Sequence, residues 1–372
     1  MFKKQSNRLF ARILRKQFTP EQIQKYIGSY RRSYFSYATD PAIREKAASG
    51  GSITALLAYM LESGQVDGAV VCRAVVNAEG LLRPEFFIAT SLEELKSAQG
   101  SKYSAVYFTT QALPLIRGFE GKLAVVALPC DTMILRNAMR KDPVLDAKVF
   151  IIISMFCGHN SEPVLTDRIV NKLRPEGKRL VDYRYRTGHW RGELQATFEG
   201  GEVVTKPFAY FSDYQNLYFF AQRKCHHCFD HTGYYGDISA GDIWSLRMKN
   251  NPIKHTALIA RSEVGARIVA EAFANNVLTG QEESIEEICN GQARNLPTHY
   301  NVSARSRLGK IANERIKDSV HEKVRINNYI VAALDLFNER LSRTASGKKI
   351  IFSLPRPLIK LYLYFIKFLE SF

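Results

Sequence analysis

Residues 149–158 read Val-Phe-Ile-Ile-Ile-Ser-Met-Phe-Cys-Gly, an almost wholly apolar run that ends at a cysteine and a glycine. Residues 123–130, Leu-Ala-Val-Val-Ala-Leu-Pro-Cys, follow the same plan earlier in the chain. Continuous apolar runs of this length are typical of strands buried on both faces, as in parallel sheets covered by helices. Each run therefore predicts a buried strand with a cysteine just beyond its carboxyl end.

Helical and extended segments alternate around these two runs. A glycine-rich turn precedes an apolar helix at 53–61, residues 66–72 form another short apolar run, and Ser91 with Glu94 makes a capping box. Three stretches of alternating residues predict a small antiparallel element: 183–186, 194–198 and 203–205. We therefore predict an α/β fold, with a mostly parallel sheet body and a small antiparallel element, flanked by basic N- and C-terminal helices.

The formal charge of +16 is concentrated at the two ends of the chain. Residues 1–32 hold nine basic residues and one acidic residue, and residues 303–372 hold fourteen basic and six acidic residues. The remaining 29 basic and 29 acidic residues, in 33–302, cancel. A nucleic-acid-binding domain carries its basic residues on the domain itself, so we expect no nucleic-acid partner.

Targeting signals and cysteine usage indicate the compartment. The first residues lack the apolar core of a signal peptide, and no run of 18 uncharged apolar residues occurs. Six cysteines in 372 residues do not make a disulfide scaffold. These features predict a cytoplasmic protein whose cysteines are thiols or metal ligands.

Four of the six cysteines have the surroundings of ligands. Cys130 and Cys157 follow the two buried strands, and Cys225 with Cys228 forms a Cys-x-x-Cys pair in a polar segment. Four thiolates can hold a 4Fe–4S cluster or a structural zinc ion. From spacing alone a cluster, a zinc site and no metal all remain open. Cys72 and Cys289 have apolar surroundings, which indicate ordinary buried thiols.

An ordered set of short motifs extends over about residues 35–290. Together they resemble the beta-subunit family of the coenzyme F420 (deazaflavin) hydrogenases and dehydrogenases, whose members are FAD- and iron–sulfur-dependent oxidoreductases. The resemblance favours a 4Fe–4S cluster over a zinc ion at the four cysteines. The motifs are Ala48-Ser49-Gly50-Gly51, Gly64–Val71, Gly100-Ser101-Lys102-Tyr103, Leu128-Pro129-Cys130, Phe156-Cys157-Gly158, Arg184–Gly192, Cys225–Cys228 and Asp237–Asp242.

The resemblance implies roles for individual residues. The cluster ligands would be Cys130, Cys157, Cys225 and Cys228. Lys102 would be the catalytic candidate, because its charge could stabilise a reduced flavin ring. The flavin-binding candidates are Ser49, Gly50, Gly51, Ser52, Thr54, Ser101, Lys102, Tyr103 and Asp242, with the glycine turn near the pyrophosphate.

The resemblance and the charge pattern also divide the chain. We predict a basic helical N-terminal extension at 1–34 and a flavin-binding part at 35–120. An iron–sulfur part follows at 121–300. A basic helical C-terminal extension with an amphipathic tail occupies 301–372.

Two departures from the family pattern bear on function. No cysteine precedes Cys72, so we expect one cluster at most and an external electron donor. Asp131 follows Cys130 where relatives commonly have glutamine. Deazaflavin binding has no motif in this sequence, and some relatives are associated with surface-polysaccharide synthesis.

The predicted function is transfer of electrons between a reduced carrier, ferredoxin-like or deazaflavin, and an organic substrate through a 4Fe–4S cluster and FAD. The substrate could belong to surface-polysaccharide biosynthesis. The alternative is a non-catalytic, zinc-stapled binding module that docks at a membrane. Expected partners are an acidic carrier such as ferredoxin and a second copy of the chain.

The tail at residues 354–372 is compatible with two kinds of contact, one with a membrane and one with protein. This tail holds Lys360 and Lys367, seven residues apart and so on one helical face, among aliphatic and aromatic residues. Such a helix suits an anionic membrane interface, where the protein would be peripheral. It equally suits docking on the body or on a second subunit.

Overall fold

The structure is a computed structural model that describes residues 18–370. Most of the predicted N-terminal basic extension, residues 1–17, lies outside the described residues. The strands are β1 (Arg32–Ala38), β2 (Gly68–Val76), β3 (Leu82–Ala89), β4 (Leu123–Ala127), β5 (Val149–Met155), β6 (Leu180–Thr187), β7 (Glu193–Phe198), β8 (Val203–Pro207), β9 (Ile238–Asp242), β10 (Thr256–Ala260) and β11 (Leu278–Glu282).

The α-helices alternate with these strands and then form the C-terminal end. They are α1 (Pro20–Ile27), α2 (Pro41–Glu45), α3 (Ser52–Glu62), α4 (Leu92–Ser97), α5 (Phe108–Gly118), α6 (Pro129–Met139), α7 (Pro143–Lys148), α8 (Pro163–Leu173), α9 (Ala209–Gln215), α10 (Glu263–Ala274), α11 (Ile285–Gly291), α12 (Asn295–Tyr300), α13 (Val302–Ile311), α14 (Ile326–Arg343), α15 (Ala345–Ser353) and α16 (Arg356–Leu369). Short 3₁₀ turns occur at Glu199–Gly201, Arg223–His227 and Leu246–Met248.

Eight strands form one sheet in the order β11-β1-β10-β9-β5-β4-β2-β3. The strands β9, β5, β4 and β2 are parallel neighbours, and β1 runs in their direction. The strands β3, β10 and β11 run the opposite way. A second sheet, β6-β7-β8, is antiparallel. The predicted α/β body, with a mostly parallel sheet and a small antiparallel element, is confirmed.

Helices cover both faces of the large sheet, which explains its continuous apolar runs. Along β4, Ala124 and Val126 pack toward α3 and α10, whereas Val125 and Ala127 pack toward α5, α6 and α7. Successive side chains on a strand point to opposite faces, so a strand covered on both sides is apolar throughout. Strands from both sides of residue 120 share this sheet, and the division at 120/121 stays a prediction.

The tail helix α16 docks on the body through one of its faces. Ile359, Leu363 and Ile366 are buried in the core of the small sheet. Arg356 binds Asp213 at 2.8 Å at the start of the helix. The outer face of α16 exposes large apolar side chains to solvent, namely Leu358, Leu361, Tyr364, Phe365 and Phe368. Nowhere in residues 18–370 is a helix both long and apolar enough to cross a membrane.

Candidate functional site

An open cleft of about 1490 Å³ lies along the carboxyl ends of the strands that share one direction. The segments after β1, β4 and β5 and the last residues of β9 form its floor. Ligands of open α/β sheets bind at this edge. The cleft therefore collects the predicted flavin residues, with the exception of Gly50. Those that line it are Ser49, Gly51, Ser52, Thr54, Ser101, Lys102, Tyr103 and Asp242.

The glycine turn leads into α3 at one wall of this cleft. Gly51 is the residue before the helix, has a φ of +79° and gives the helix no side-chain cap. A left-handed φ favours glycine, since other residues are strained there. Ser52 and Thr54 bring the first turn of the helix into the cleft wall. The positive end of the helix dipole thus faces the cleft, where an anionic group would be stabilised.

Gly50 lies behind the wall and holds the turn in place. Its amide donates to Thr256 Oγ1 at 3.0 Å, and its carbonyl accepts from the Ala38 amide at 2.8 Å. A Cβ atom here would lie 2.6 Å from the Ser36 carbonyl oxygen. Gly50 therefore supports the turn from behind the cleft wall, and its predicted contact with the pyrophosphate stays a prediction.

Lys102 places an amine in the wall of the same cleft. Its Nζ donates to the Ala98 carbonyl and, at 3.2 Å, to the Gln99 carbonyl. Burial lowers the pKa of this amine to about 8, although the nearby Cys72 thiol favours its charge. Cys72 also lines the cleft. The lysine is thus a positively charged donor at neutral pH whose proton is held less tightly than usual.

Asp242 is held by a buried arginine. Arg186, on β6, is 7% exposed and donates Nη1 to Asp242 and Nη2 to the Trp190 carbonyl at 3.0 Å. Burial opposes the charge of Arg186, but Asp242 and Tyr103 together raise the pKa of the arginine above its usual value. Asp242, predicted as a pocket residue, therefore forms an ion pair that connects the small sheet to the end of β9.

Several buried polar atoms at the cleft have no hydrogen-bond partner within residues 18–370. Four belong to cleft-lining residues and are Gln99 Oε1, Ser104 Oγ, Asp131 Oδ2 and His159 Nε2. A buried polar group without a partner is costly, so such groups commonly mark the place of a ligand or water. The lining is otherwise mainly apolar, which is typical of cofactor sites.

The four predicted ligand cysteines come together beside the cleft. Cys130 lies in the first turn of α6, Cys157 follows β5, and Cys225 and Cys228 lie at a 3₁₀ turn. Burial raises the pKa of every one of these thiols, that of Cys130 to about 12. Repulsion between the thiols adds to the rise, and it acts within all six pairs. Such mutual effects require that the four sulfurs be neighbours.

Backbone contacts fix the positions of these cysteines. The Asn160 amide donates to Cys225 Sγ at 3.5 Å. The Cys157 amide donates to the His231 carbonyl at 2.9 Å, and the His231 ring contacts the Cys157 carbonyl at 3.0 Å. Arg305, 1% exposed, donates Nε to the His226 carbonyl at 3.0 Å and Nη2 to the Cys228 carbonyl at 3.2 Å.

Two cations near these cysteines favour the thiolate form. Arg305 and Lys224 both lower the pKa of Cys225 against the larger effect of its burial. Lys224 lies 3.5 Å from Asp131, which is 1% exposed and lines the cleft. Asp131 is thus a buried acidic residue that lines the cleft and directly follows one of the four cysteines.

Four neighbouring cysteine thiolates are a donor set that could hold a 4Fe–4S cluster or a single zinc ion. In residues 18–370 no group of three or more His, Cys, Asp or Glu side chains is arranged to hold one metal ion. Cys130, Cys157, Cys225 and Cys228 are therefore the residues that would hold a cluster.

Sequence reasoning missed three residues that shape the site. Arg305 lies in the basic C-terminal extension, Arg186 in a motif that carried no assigned role, and Asn160 just after the Phe-Cys-Gly motif. Their partners are distant in sequence or are backbone atoms, for which no local pattern exists. The proximity of Asn160 to Cys157 is the one signal that pointed toward the site.

Two family models match this chain. The model for the N-terminal part of the coenzyme F420 hydrogenase/dehydrogenase beta subunit covers residues 33–112, and that for its C-terminal part covers residues 120–286. A chain of the F420-reducing NiFe hydrogenase complex from Methanosarcina barkeri, solved with xenon, has a similar fold. Its TM-score is 0.61 at 21% identity, and the match covers 82% of this chain and 99% of that one.

Curated relatives agree with these models. The coenzyme F420 hydrogenase subunit beta of Methanothermobacter thermautotrophicus is 25% identical over 76% of this chain and 98% of its own length. The corresponding subunit of Methanosarcina barkeri is 28% identical over 71% and 85%. Subunit beta of the F420-dependent formate dehydrogenase 1 of Methanococcus maripaludis is 33% identical over 35% and 32%. As its motifs predict, the chain belongs to the coenzyme F420 hydrogenase/dehydrogenase beta-subunit family, a family of oxidoreductases.

Proposed function

We propose that this chain is an iron–sulfur flavoenzyme that moves electrons between a reduced carrier and an organic substrate. The relatives are named for coenzyme F420, so a reduced deazaflavin is the first carrier to test, with a ferredoxin-like protein second. FAD in the cleft and one 4Fe–4S cluster on the four cysteines are the cofactors of this proposal. In this proposal the organic substrate belongs to surface-polysaccharide synthesis.

The position of Cys157 carries the proposal. Its thiol interacts electrostatically with the three other thiols, and the same residue lines the cleft. Asp131, next to Cys130, also lines the cleft. Electron transfer requires short separations between centres, and here one loop belongs to both candidate cofactor sites. When bound, a cluster supplies single-electron transfer and a flavin couples this to two-electron chemistry.

The side chains of the cleft support this chemistry in distinct ways. The amino end of α3 at Gly51 would bind and orient a pyrophosphate. Lys102 would hold a proton and a positive charge in the cleft wall, where negative charge on a ring would be stabilised. The Arg186–Asp242 pair keeps the carboxylate in place at the end of β9.

The first test of this function is the reaction with a carrier. Anaerobically purified protein is mixed with reduced coenzyme F420 or with reduced ferredoxin, and bleaching of the bound flavin is followed. We expect one carrier to bleach the flavin in the wild type. With ferredoxin, Cys157→Ser should abolish bleaching while Cys289→Ser, at a buried thiol away from the site, should not. Failure of both carriers to bleach the flavin would refute the proposal.

The outer face of α16 supports a location at an anionic membrane surface. Its exposed apolar and aromatic side chains lie beside the exposed Lys360, and residues 303–372 carry a net +8. Apolar cover with basic neighbours is typical of interfacial helices. Because the other face of α16 is buried in the core, substitutions on the outer face test this better than removal of the helix.

Vesicle flotation measures this binding. The double variant Leu361→Glu and Phe368→Glu should lose flotation with anionic vesicles, whereas Ile326→Glu, at an exposed residue of α14, should keep it. Neutral vesicles should float neither variant. Flotation of the double variant equal to that of the wild type would reject the membrane, and concentration-dependent oligomers lost in the double variant would indicate a protein partner instead.

A further inference from the structure

The loop that follows α13 packs against the turn that holds two of the four cysteines. The Lys317 amide donates to His227 Nδ1 at 3.4 Å, and His227 lies inside the Cys-x-x-Cys pair. Ile316 is buried in a small core against which Phe229 packs, and Phe229 directly follows that pair. The loop at 312–318 is therefore fixed beside the candidate cluster site, and its outer side is the protein surface nearest to the turn.

The exposed charged side chains of this region are basic. Arg223 begins the 3₁₀ turn of the cysteines, and Arg340 of α14 reaches the loop, where its Nη1 donates to the Ala312 carbonyl at 3.3 Å. We call the region the cysteine-turn surface. Its exposed basic residues are Arg223, Lys310, Arg315, Lys317 and Arg340.

The two acidic residues of the segment 310–318 are mostly buried and already bound. Glu314 has a side chain that is 14% exposed and lies 2.9 Å from Arg343 and 3.7 Å from Arg223. Asp318 accepts hydrogen bonds from the Ser303 hydroxyl and from the His321 amide, both at 2.9 Å. Because these carboxylates are held from within, the cysteine-turn surface presents mainly positive charge to solvent.

Two large apolar side chains lie exposed within the same surface. Ile311 is 85% exposed and directly precedes the residue that Arg340 contacts. Phe337 is 60% exposed and lies three residues before Arg340, on the same face of α14. Exposed apolar groups with charged residues around them are typical of protein-binding surfaces, in which a small apolar centre is ringed by polar groups.

We propose that the cysteine-turn surface docks an acidic one-electron carrier protein of the ferredoxin type, and that electrons enter the four-cysteine site there. The inference rests on the proposed function and assigns a surface to the second of its two carriers. Opposite charges raise the encounter rate, and electron-transfer partners need only a small interface. In each encounter the carrier loses one electron and the four-cysteine site gains one. Two encounters supply the electron pair for flavin chemistry.

Binding of an oxidised plant-type 2Fe–2S ferredoxin to the full-length protein tests this without any turnover, by isothermal titration calorimetry. We expect binding that weakens at least about tenfold between about 20 and about 200 mM salt. Arg315→Glu combined with Lys317→Glu should weaken binding at least about tenfold at low salt. Lys141→Glu combined with Lys206→Glu makes the same charge change at exposed lysines of other elements, and it should weaken binding less than about twofold.

Stopped-flow reduction of the same three proteins provides a second measurement. Reduced ferredoxin should reduce the Arg315/Lys317 variant at least about tenfold more slowly than the wild type, whereas the Lys141/Lys206 variant should keep the wild-type rate. Dithionite is a small reductant that needs no docking surface, so it should reduce all three proteins at the same rate.

The possible results separate this inference from the proposed function. Iron and flavin contents are measured on the same samples. Absence of ferredoxin binding to the wild type, unchanged binding in the Arg315/Lys317 variant, or an equal loss in the Lys141/Lys206 variant would each overturn the inference, even if iron and flavin are present. Concentration-dependent dimers of the wild type that the Arg315/Lys317 variant loses would assign the surface to a second copy and also overturn it. Absence of iron and flavin would overturn the proposed function, whatever the binding result.

Discussion

Arg305→Met should loosen the cysteine loop and destabilise the protein. The guanidinium of Arg305 is buried and donates to four backbone carbonyls, those of His226, Cys228, Thr298 and His299, at 2.7–3.2 Å. Methionine has similar length but no donor, so these buried acceptors lose their partner. Each loss costs about 1–3 kcal/mol, but the effects are not additive. The four carbonyls lie close together and can relax jointly, so we expect a total loss of about 4 kcal/mol.

Urea unfolding of metal-free protein under reducing conditions measures this change, and iron retention after reconstitution measures its effect on the site. Arg307→Met is the matched control, because Arg307 lies on the same helix and is exposed. We expect the control to change stability by less than about 0.5 kcal/mol and to keep its iron. A loss below about 1 kcal/mol in Arg305→Met, with full iron retention, would show that the arginine does not organise the loop.

Three further predictions follow from the site. Cys225→Ser should lose the bound iron, whereas Cys289→Ser, at a fully buried thiol elsewhere, should keep it, as iron analysis will show; equal iron in both would remove Cys225 from the ligand set. Gly51 and Gly64 lie on either side of α3 with φ of +79° and +67°, so Gly51→Ala and Gly64→Ala should each lower the free energy of unfolding by about 1–2 kcal/mol. Only Gly51→Ala should weaken FAD binding. Equal FAD affinity of the two variants would place the pyrophosphate elsewhere. The Lys102 pKa is about 8 in the folded protein, against an ordinary value of 10.5, so the unfolded chain binds more protons between these two pH values. The free energy of unfolding of the wild type relative to Lys102→Met should therefore rise with pH across that window, by up to about 3 kcal/mol. A difference that does not change with pH would show that the amine is not buried.

The parts of the fold that follow local patterns could be predicted from the sequence. The apolar runs of β4 and β5 are buried on both faces, and the cysteines after them lie at the same sheet edge because parallel strands end there together. The strand pairs at the β11 end of the sheet were harder to predict. Strand β1 pairs with β10 and β11, more than 200 residues away, and short strands do not encode their partners in sequence.

The tail shows a second limit of sequence reasoning. Apolar residues surround α16 on all sides except at its lysines, so periodicity alone does not tell which face is buried. The structure buries Ile359, Leu363 and Ile366 against the body, which confirms the docking interpretation, whereas binding of the outer face to a membrane stays a prediction. The Arg186–Asp242 pair was missed for a related reason, since the two residues are 56 positions apart and only the fold brings them together.

The central claim is that four cysteines hold one 4Fe–4S cluster beside a flavin site. Metal, sulfide and flavin analysis of anaerobically purified full-length protein, with electron paramagnetic resonance after reduction, tests it most directly. We expect about four iron and four sulfide per chain, about one FAD, and a cluster signal on reduction. A colourless protein with one zinc per chain and no flavin would contradict the account and favour the zinc-stapled binding module.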